Sequence, residues 1–523
     1  MQPKKYVAVL RTFLAQHPSW YWLGLLGLFI GAAIFRFWGL GRFNELVFDE
    51  NHFAKFANYY LTETAFLDGH PPLGKYFIAL GIWLSQFTPF GYGARTVVAE
   101  FNLDLPTVSY RWMNALVGSC IPVLVAVLAY QLFRRYRISL IAGLFTALDG
   151  LLLVESRYAL INVYLLVFGL LGQIFFLTAL SQSSKPLRMR WLLATGLGFG
   201  AAMSVKWTGL GFLLGPYILW GMVQAMNSLS HQKRVEPQVT SVSAPASLPY
   251  IKPVNLVSEA DQAPAAPPSV LVSQPLRQLG RLHWRDLLFY LGILPVFLYF
   301  LIWLPHIHHD PQHSLLGYQR QLYTWHTSIG GQDHPNCSAW YTWPLLIRSV
   351  AFYYNRVELP ATFGAEDSSF IYRYVNGMGN PFLWWQSSLA ILVIAGVVLW
   401  SRSKIFARSV PNQESQAFNT LAWTVGGSAL YILLSYLANL LPWGAISRCS
   451  LIYHYMPASL FSFLALAWVV DQGLDSKEAW KQAISGLGIC LVIFGFFYWL
   501  PFFLGLPVTT DGHDGRLWLK SWL

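Results

Sequence analysis

Long apolar segments alternate with short polar ones along most of the chain. A helix that crosses a membrane needs about 20 predominantly apolar residues, and about eleven segments approach that length. Lipid offers the backbone no hydrogen-bond partners, so each segment is expected to be helical. The pattern therefore predicts an all-α polytopic membrane protein. The predicted spans cover residues 20–38, 113–133, 138–154, 160–180, 190–206, 208–226, 286–305, 382–400, 418–440, 452–470 and 483–505.

Composition supports the membrane prediction. Of the 523 residues, 55% are hydrophobic, 16% are aromatic and only 11% are charged, whereas a soluble domain carries about 25% charged residues. So few charges cannot cover a water-exposed surface of this size, and a lipid bilayer is expected to cover much of it. The net charge of +11 does not indicate nucleic-acid binding, because Lys and Arg lie in short clusters between spans rather than in a basic helix.

The basic clusters also predict the orientation, because Lys and Arg accumulate in cytoplasmic loops. The first apolar segment follows Lys4, Lys5 and Arg11 and has no small-residue cleavage site after it, which favours a membrane helix over a signal peptide. A cytoplasmic N-terminus with an odd number of spans places the C-terminus outside. The cytoplasmic loops then contain the basic clusters at 134–137, 185–190, 231–285 and 402–408.

The spans divide the chain into two membrane halves, at 1–226 and 286–523. Between them, residues 227–285 are rich in Pro, Ser and Ala without a helical period, which predicts a flexible cytoplasmic linker. Each half contributes one large outside loop, at about 39–111 and 306–381. These two loops are the expected place for any chemistry.

The first outside loop carries two adjacent carboxylates, Asp49 and Glu50, among the apolar neighbours Val47, Phe48 and Phe53. Carboxylates in apolar surroundings are candidates for general bases, because burial perturbs their pKa values. The alternative is a helix N-terminal cap, since acidic residues suit a first turn. The sequence alone leaves both interpretations open.

Further along the same loop, His70 precedes two prolines and Lys75 opens a short apolar piece, Tyr76 to Phe87. The prolines fix an extended turn. The apolar piece is too short to span and is expected to lie along the interface or to re-enter it. Either His70 and Lys75 face an anion at the membrane surface, or Lys75 only snorkels.

Other polar residues recur at the predicted outside ends of spans. Each alone is explained by anchoring at the lipid headgroups. Together with Asp49 and Glu50 they suggest a site for a lipid-linked phosphate donor and an activated acceptor. They are Arg111, Glu155, Ser156, Arg157, Lys206, Trp207, Arg448 and His454.

A histidine-rich stretch begins the second outside loop, with His306, His308, His309, Asp310 and His313. Spacing of this kind can bind a metal. An amphipathic segment follows, and a structural or interfacial role is the expectation. Arg, Lys and His can hold a phosphate without a metal, so no cofactor is expected, although a divalent metal stays an alternative.

Four cysteines are scattered along the chain, and no CxxC pair indicates a thiolate zinc site. Cys337 and Cys449 both fall in predicted outside loops. A disulfide between them is an alternative, but unpaired thiols are the expectation, because two loop cysteines do not fix the geometry a bridge needs.

Seven segments, in order along nearly the whole chain, resemble the protein O-mannosyltransferase family. The first two are "FDENHFAKFANYYL" and "DGHPPLGKYFIALG", which look like that family's Asp-Glu and His-Pro-Pro-Leu-Gly-Lys elements. The later ones are "ESRYALIN", "SVKWTGL", "HPNCSAWYTWPLL", "GMGNPFLWW" and "SRCSLIYHYMPA". The order of seven elements is far more specific than any one of them.

The resemblance implies a GT-C fold with eleven spans, an inside N-terminus and an outside C-terminus. It implies transfer of mannose, with inversion, from a polyprenyl phosphate to Ser or Thr hydroxyls of secreted or membrane proteins. Asp49 would be the base and Glu50 its partner. The candidate donor contacts are His70, Lys75, Arg111, Arg157, Lys206 and Arg448, and the candidate pocket residues are His52, Trp207, His454 and Tyr455.

The chain departs from the family pattern at two positions and in one domain. Asn162 stands where an acidic residue is usual, and Asn336 stands where a Tyr is usual. The β-trefoil domain of eukaryotic members is missing, which points to a bacterial enzyme in the plasma membrane. The alternatives are a GT-C enzyme that moves another sugar to lipid or polysaccharide and, more remotely, a transporter.

Overall fold

The computed structural model describes residues 17–235, 275–328, 336–358, 370–407 and 413–522. Within these ranges, nine α-helices and one hairpin lie before residue 236, and seven α-helices and three strands follow residue 275. The N-terminal helices are α1 Ser19–Phe37, α2 Glu50–Leu61, α3 Leu73–Ser85, α4 Trp112–Phe133, α5 Tyr136–Ala147, α6 Gly150–Arg157, α7 Asn162–Leu180, α8 Lys185–Val205 and α9 Leu210–Val235. The later helices are α10 Trp284–His309, α11 Leu315–Ser328, α12 Pro381–Ala407, α13 Gln413–Leu440, α14 Met456–Leu474, α15 Ala479–Leu504 and α16 Thr510–Asp514.

Eight helical segments of the described chain are long and apolar enough to cross a membrane. The chain is therefore a multi-pass membrane protein, as hydropathy predicts. Helices α8 and α9 occupy the predicted spans 190–206 and 208–226 but fall outside this set. The count of eleven spans accordingly stays a prediction.

The predicted span 138–154 is wrong as a single helix. Helices α5 and α6 meet at a bend of 59°. Asp149 lies at the break, and its side chain accepts a hydrogen bond of 2.8 Å from the backbone N–H of Leu152. That bond caps α6, so a new helix begins in a new direction where mean hydropathy alone shows a continuous span.

The two large loops contain regular structure, so small sheets must be added to the all-α prediction. The first loop holds α2, α3 and a hairpin of β1 Arg95–Val98 and β2 Leu103–Pro106. Helix α3 has 13 residues, too few to span, as expected. The second loop holds α11 and the antiparallel strands β3 Val350–Glu358 and β4 Phe370–Gly377, whose sheet is completed by β5 Pro507–Thr509.

The predicted linker at 227–285 is helical at both ends. Its first residues continue α9 to Val235, and a short 3-10 helix spans Pro275–Arg281. The part between, 236–274, lies outside the described residues. The division into 1–226, linker and 286–523 stays a prediction.

Helix α14 lies in the protein interior, since 83% of its apolar window is buried against 22% for α1. At one end, ion pairs tie α14 to the start of α5. Asp471 is fully buried and pairs with Arg137 and with Arg135, whose Nη1 lies 3.0 Å from its carboxylate. Part of the predicted cytoplasmic basic cluster is therefore neutralised by the helix that runs through the core.

Candidate functional site

Asp49 sits directly before α2, where the chain turns sharply. Phe48 has a φ of 52°, which is uncommon outside glycine, and its ring stacks on Phe352 with centroids 4.2 Å apart. The Asp49 side chain makes no capping hydrogen bond to the helix. It lines a cavity of about 170 Å³, here called the polar cavity. Asp49 thus occupies the N-cap position and Glu50 the first turn, as the cap interpretation expects, but the Asp49 side chain does not form the capping bond.

Glu50 points the other way and is fully buried. Its two oxygens accept hydrogen bonds from Arg111, from Nε at 2.8 Å and from Nη2 at 2.7 Å. The backbone N–H groups of Val47 and Ala159 donate to the same oxygens at 2.9 and 2.8 Å. With four donors the carboxylate has no capacity left for a substrate.

Arg111 is equally enclosed. Besides Glu50 it donates to the carbonyls of Phe43 and Glu45, each at 2.9 Å. Burial disfavours its charged form, but the Glu50 carboxylate more than offsets this and raises the pKa of Arg111. The Glu50–Arg111 pair therefore holds the start of the first loop against α4. This geometry favours a positioning role for Glu50 and Arg111 over contact with the donor.

Arg157 also donates its hydrogen bonds to backbone carbonyls rather than lining a cavity. Its Nη1 donates to the carbonyls of Phe35 and Trp38, both at 2.8 Å, and its Nη2 donates to that of Gly39 at 3.0 Å. These carbonyls lie at the end of α1, where helix carbonyls lack partners within the helix. Arg157 thus fixes the point at which the first loop leaves the membrane helix.

Lys75 holds the double-proline turn. Its side chain is 1% exposed, and its ammonium pairs with Asp68 and donates to the His70 carbonyl at 2.8 Å. Burial lowers the pKa of Lys75, and the Asp68 carboxylate opposes that change. The chain bends here, but Pro72 is helical (φ −81°, ψ −22°) rather than extended as predicted, and Lys75 positions the bend rather than facing open space.

His70 is the side chain that this turn presents. Its buried Nδ1 has no hydrogen-bond partner among the described residues, and its ring lies 5.6 Å from that of His326. Burial, followed by the nearby Lys206 and Lys75 cations, holds the pKa of His70 well below its ordinary value. A neutral imidazole with a buried, unpartnered nitrogen is available to a ligand.

A second, larger cavity of about 540 Å³ opens beside the polar cavity and is called the apolar cavity. Its walls come from α9, from the end of α13 and from the turn after it. They include Leu210, Leu213, Leu214, Tyr217, Ala438, Pro442, Trp443 and Ile446. Its other end is polar and cationic, formed by His70, Lys206, His326 and Arg448, with Trp207 beside them.

Lys206 is only 5% exposed. Its ammonium donates to the Asn162 side-chain oxygen at 3.3 Å and lies 4.9 Å from the centre of the Tyr453 ring. The adjacent Trp207 ring donates from Nε1 to the Tyr299 hydroxyl at 3.0 Å. Both residues are therefore held in place at the cationic end of the apolar cavity.

His326 was missed by sequence reasoning. It lies in α11, its Nε2 is 2.8 Å from the Gly69 carbonyl oxygen, and its ring is 5.5 Å from Trp207. Burial, and then Arg448, lowers the pKa of His326. The only available indication was that a Trp-His pair ends an amphipathic helix in the second outside loop.

The two cavities share His70, His326 and Arg448. Among the described residues, the Arg448 guanidinium makes no hydrogen bond or ion pair within the protein, and burial lowers its pKa. Arg448 therefore stands between a space lined by the Asp49 carboxylate and a space lined by apolar side chains.

The remaining predicted pocket residues lie in different surroundings, two at the polar cavity and one in the core. His454 lines the polar cavity, and its ring lies 4.2 Å from that of Trp443 at a tilt of 57°, while His52 is exposed at the same cavity. Tyr455 is 1% exposed and hydrogen-bonds the Tyr436 hydroxyl at 3.2 Å. It packs in the core rather than against either described cavity.

The histidine-rich stretch ties the end of α10 to the first loop. His306 hydrogen-bonds the Tyr60 hydroxyl at 2.7 Å, and His309 lies 2.9 Å from the Thr64 carbonyl oxygen. Within the described ranges, no group of three or more His, Cys, Asp or Glu side chains is arranged to hold a metal ion. The need for a metal stays untested.

The expectation of unpaired thiols at Cys337 and Cys449 is wrong. A disulfide joins them across 112 residues, with a Cα–Cα distance of 5.2 Å. Arg448 precedes the second cysteine directly, and the Ser338 N–H donates to the Ser450 carbonyl at 2.9 Å. The bridge therefore holds the Arg448 segment against the second outside loop.

Replacing both cysteines by Ser is expected to lower the free energy of unfolding by about 2–5 kcal/mol, the usual cost of losing a native disulfide that closes a long loop. Thermal unfolding in detergent, with and without reductant, measures this. The Cys120→Ser variant is the control, because Cys120 is a free thiol. Equal midpoints for the double variant and the control would contradict the prediction.

Comparison with known proteins supports the family resemblance that the seven ordered segments indicate. The model of dolichyl-phosphate-mannose-protein mannosyltransferases matches residues 26–309, and that of the C-terminal four TMM region of protein-O-mannosyltransferase matches 311–522. A "polyprenol-phosphate-mannose--protein mannosyltransferase" of Mycolicibacterium smegmatis is 26% identical, covering 94% of this chain and 91% of its own length. A "dolichyl-phosphate-mannose--protein mannosyltransferase 6" of Saccharomyces cerevisiae is 34% identical over 193 residues, which are 36% of this chain and 25% of that protein.

The fold agrees as well. The Saccharomyces cerevisiae protein O-mannosyltransferase Pmt1-Pmt2 complex bound to the sugar donor superposes with a TM-score of 0.58 at 15% identity, covering 96% of this chain and 92% of the other. This likeness confirms the expected GT-C fold. Because the first family model covers more than half of the residues, the chain belongs to the dolichyl-phosphate-mannose-protein mannosyltransferase family and is a membrane glycosyltransferase.

Proposed function

We propose that the protein transfers mannose from a polyprenyl-phosphate mannose to Ser or Thr hydroxyls of proteins, with inversion, at the external face of the plasma membrane. The observation that carries the proposal is the junction of two cavities. One is apolar with a cationic end, the other contains the Asp49 carboxylate, and both are lined by His70, His326 and Arg448. Membership of an enzyme family sets the transporter alternative aside.

The apolar cavity suits the lipid donor. Leu210, Leu213 and Leu214 offer apolar area to a polyprenyl chain, and its removal from water stabilises the complex. The phosphate would lie at the other end, against Lys206 and Arg448. Cations that donate charge-assisted hydrogen bonds are the usual partners of phosphate oxygens. The donor named for the mycobacterial relative has both parts.

The polar cavity suits the acceptor hydroxyl. Asp49 would accept the hydroxyl proton while the oxygen attacks the sugar carbon from the side opposite the phosphate. The bond from that carbon to the phosphate oxygen breaks, and the phosphate leaves with the electron pair. Arg448 and Lys206 would stabilise the negative charge that develops there. One displacement inverts the sugar carbon, and neither proton transfer nor charge stabilisation calls for a metal.

Glu50 would act through position rather than as a base. Its carboxylate is saturated by Arg111 and two amides, and it begins the helix that Asp49 precedes. The Glu50–Arg111 pair would thereby set the distance between Asp49 and the sugar carbon.

The disulfide supports an external site. Disulfides persist in oxidising compartments and are rare in the cytosol, and Cys449 is adjacent to Arg448, which lines both cavities. The distribution of Lys and Arg supports the same side, with the N-terminus in the cytoplasm and the C-terminus outside.

The Arg448→Gln variant is expected to raise the donor KM by about 10- to 100-fold, since a hydrogen bond to a charged group contributes about 1.5–3 kcal/mol. Initial rates at varied mannosyl donor and saturating Ser/Thr peptide measure the change. Arg95→Gln is the matched control, because Arg95 is half-exposed and, within the described part of the chain, its ion-pair partner is Asp104 on the neighbouring strand. A donor KM equal to that of the control would overturn the assigned phosphate contact.

A further inference from the structure

Glu155 is a buried carboxyl that the proposed chemistry does not use. It lies in α6 and is fully buried. One oxygen accepts a hydrogen bond of 3.1 Å from the Asn162 side-chain nitrogen, and the other has no partner among the described residues. Burying a charged group costs free energy unless it is compensated nearby, so its presence here calls for a physical reason.

Asn162 connects this carboxyl to the cationic end of the apolar cavity. Its Nδ2 donates to Glu155, and its Oδ1 accepts from the Lys206 ammonium at 3.3 Å. A carboxylate can only accept and an ammonium can only donate. Because the ammonium can only face the amide oxygen, the amide nitrogen of Asn162 faces Glu155, and the two partners together fix the orientation of the side chain.

The surroundings of Lys206 explain why the hydrogen bonds from Glu155 through Asn162 help to hold its ammonium in place. Arg448 lines the same cavity, and its positive charge disfavours the charged form of Lys206, whereas the Glu155 carboxyl, joined to Lys206 through Asn162, favours it. A void of about 10 Å³, lined by Asn162, Lys206 and Tyr453 among others, adjoins the ammonium. This space holds little more than one water, so Lys206 has little room to move.

We propose that Glu155 is a positioning residue for the donor, which orients Asn162 and through it holds the Lys206 ammonium at the cationic end of the apolar cavity. The proposal rests on the proposed function, in which Lys206 contacts the donor phosphate. Glu155 compensates the buried ammonium while the cavity is empty, and it keeps Lys206 from relaxing away from Arg448. Glu155 itself lines neither the apolar nor the polar cavity.

Binding of undecaprenyl phosphate to the purified full-length protein tests this in a double-mutant cycle. Lys206→Gln is expected to weaken binding by about 10- to 100-fold, as for a lost charged hydrogen bond. Glu155→Gln, with Lys206 intact, is expected to weaken it by about 5- to 10-fold, within the range of coupling between groups of one network. In the Lys206→Gln background, Glu155→Gln is expected to add nothing.

Asp149→Asn is the matched control. Asp149 is another buried carboxylate, at the start of the same helix, but it accepts from the Trp384 ring nitrogen at 2.7 Å and makes no contact with Lys206. Whatever change in binding Asp149→Asn causes, its factor is expected to be the same in the unmodified protein and in the Lys206→Gln variant. Asn162→Leu serves as a second test if Glu155→Gln does not fold, and it is expected to behave as Glu155→Gln does.

The outcomes separate the two proposals. If Glu155→Gln and Asn162→Leu weaken binding by the same factor with and without Lys206, or not at all, the positioning role is overturned while the donor contact stands. If Lys206→Gln binds undecaprenyl phosphate as tightly as the unmodified protein, the donor contact in the proposed function is overturned instead.

Discussion

Replacing Asp49 by Asn is expected to slow sugar transfer by about 100-fold or more, the range for a lost general base. Asn has nearly the same shape but cannot accept the hydroxyl proton. Asp49 lines the polar cavity, whereas the adjacent Glu50 is saturated by four donors. Of the adjacent pair, Asp49 is therefore the carboxylate within reach of an acceptor.

Transfer at saturating donor and peptide measures this effect, with the donor KM determined in parallel. Asp104→Asn is the control, because Asp104 lies in the same outside loop, on β2, with its side chain 60% exposed. The control should keep full activity, and Asp49→Asn should keep its donor KM and thermal midpoint. A fully active Asp49→Asn protein would remove Asp49 from the chemistry.

Replacing Glu50 by Ala is expected to lower the free energy of unfolding by about 3–5 kcal/mol, because it leaves the Arg111 charge buried without its partner. Both side chains are fully buried, and their ion pair is 2.7 Å long. Most of the protein should then be lost to aggregation during purification. Arg111→Met is expected to have an effect of similar size, since it leaves the buried Glu50 carboxylate without a cation.

The folded fraction that survives heating in detergent measures both variants. The double variant Glu50→Ala with Arg111→Met should recover part of the loss, because no unpaired charge remains. Recovery should be incomplete, since the loop carbonyls of Phe43 and Glu45 lose a donor. A Glu50→Ala protein that withstands heating as well as the unmodified protein would contradict the stabilising role of the buried pair.

The membrane helices could be predicted because each carries its own pattern of apolar residues. The helices observed at 19–37, 112–133 and 479–504 lie within a few residues of predicted spans. The bend before Gly150 could not be predicted, because it depends on one capping bond from Asp149. Mean hydropathy is the same whether the apolar segment is straight or broken.

The site was predictable as a set of residues but not as a set of roles. Sequence reasoning grouped His70, Lys206 and Arg448 with Arg111 and Arg157 as candidate donor contacts. The structure places the first three at the cavities and commits the other two to backbone carbonyls. Only long-range partners distinguish these cases, because Glu50 lies 61 residues from Arg111 along the chain.

The same limit explains the disulfide and His326. Cys337 and Cys449 are 112 residues apart, and nothing near either cysteine specifies the other. His326 reaches the cavity because α11 lays it against Gly69, 257 residues earlier. Neither contact leaves a local pattern in the sequence.

Transfer by the purified protein tests the central claim most directly. The protein would be mixed with undecaprenyl-phosphate mannose and, in separate reactions, a Ser/Thr-containing peptide or a lipid acceptor. The predicted result is a peptide that gains one hexose on a Ser or Thr side chain, with the sugar carbon inverted relative to the donor, and no product on the lipid. A sugar attached only to lipid, or a peptide product that retains the donor configuration, would contradict it.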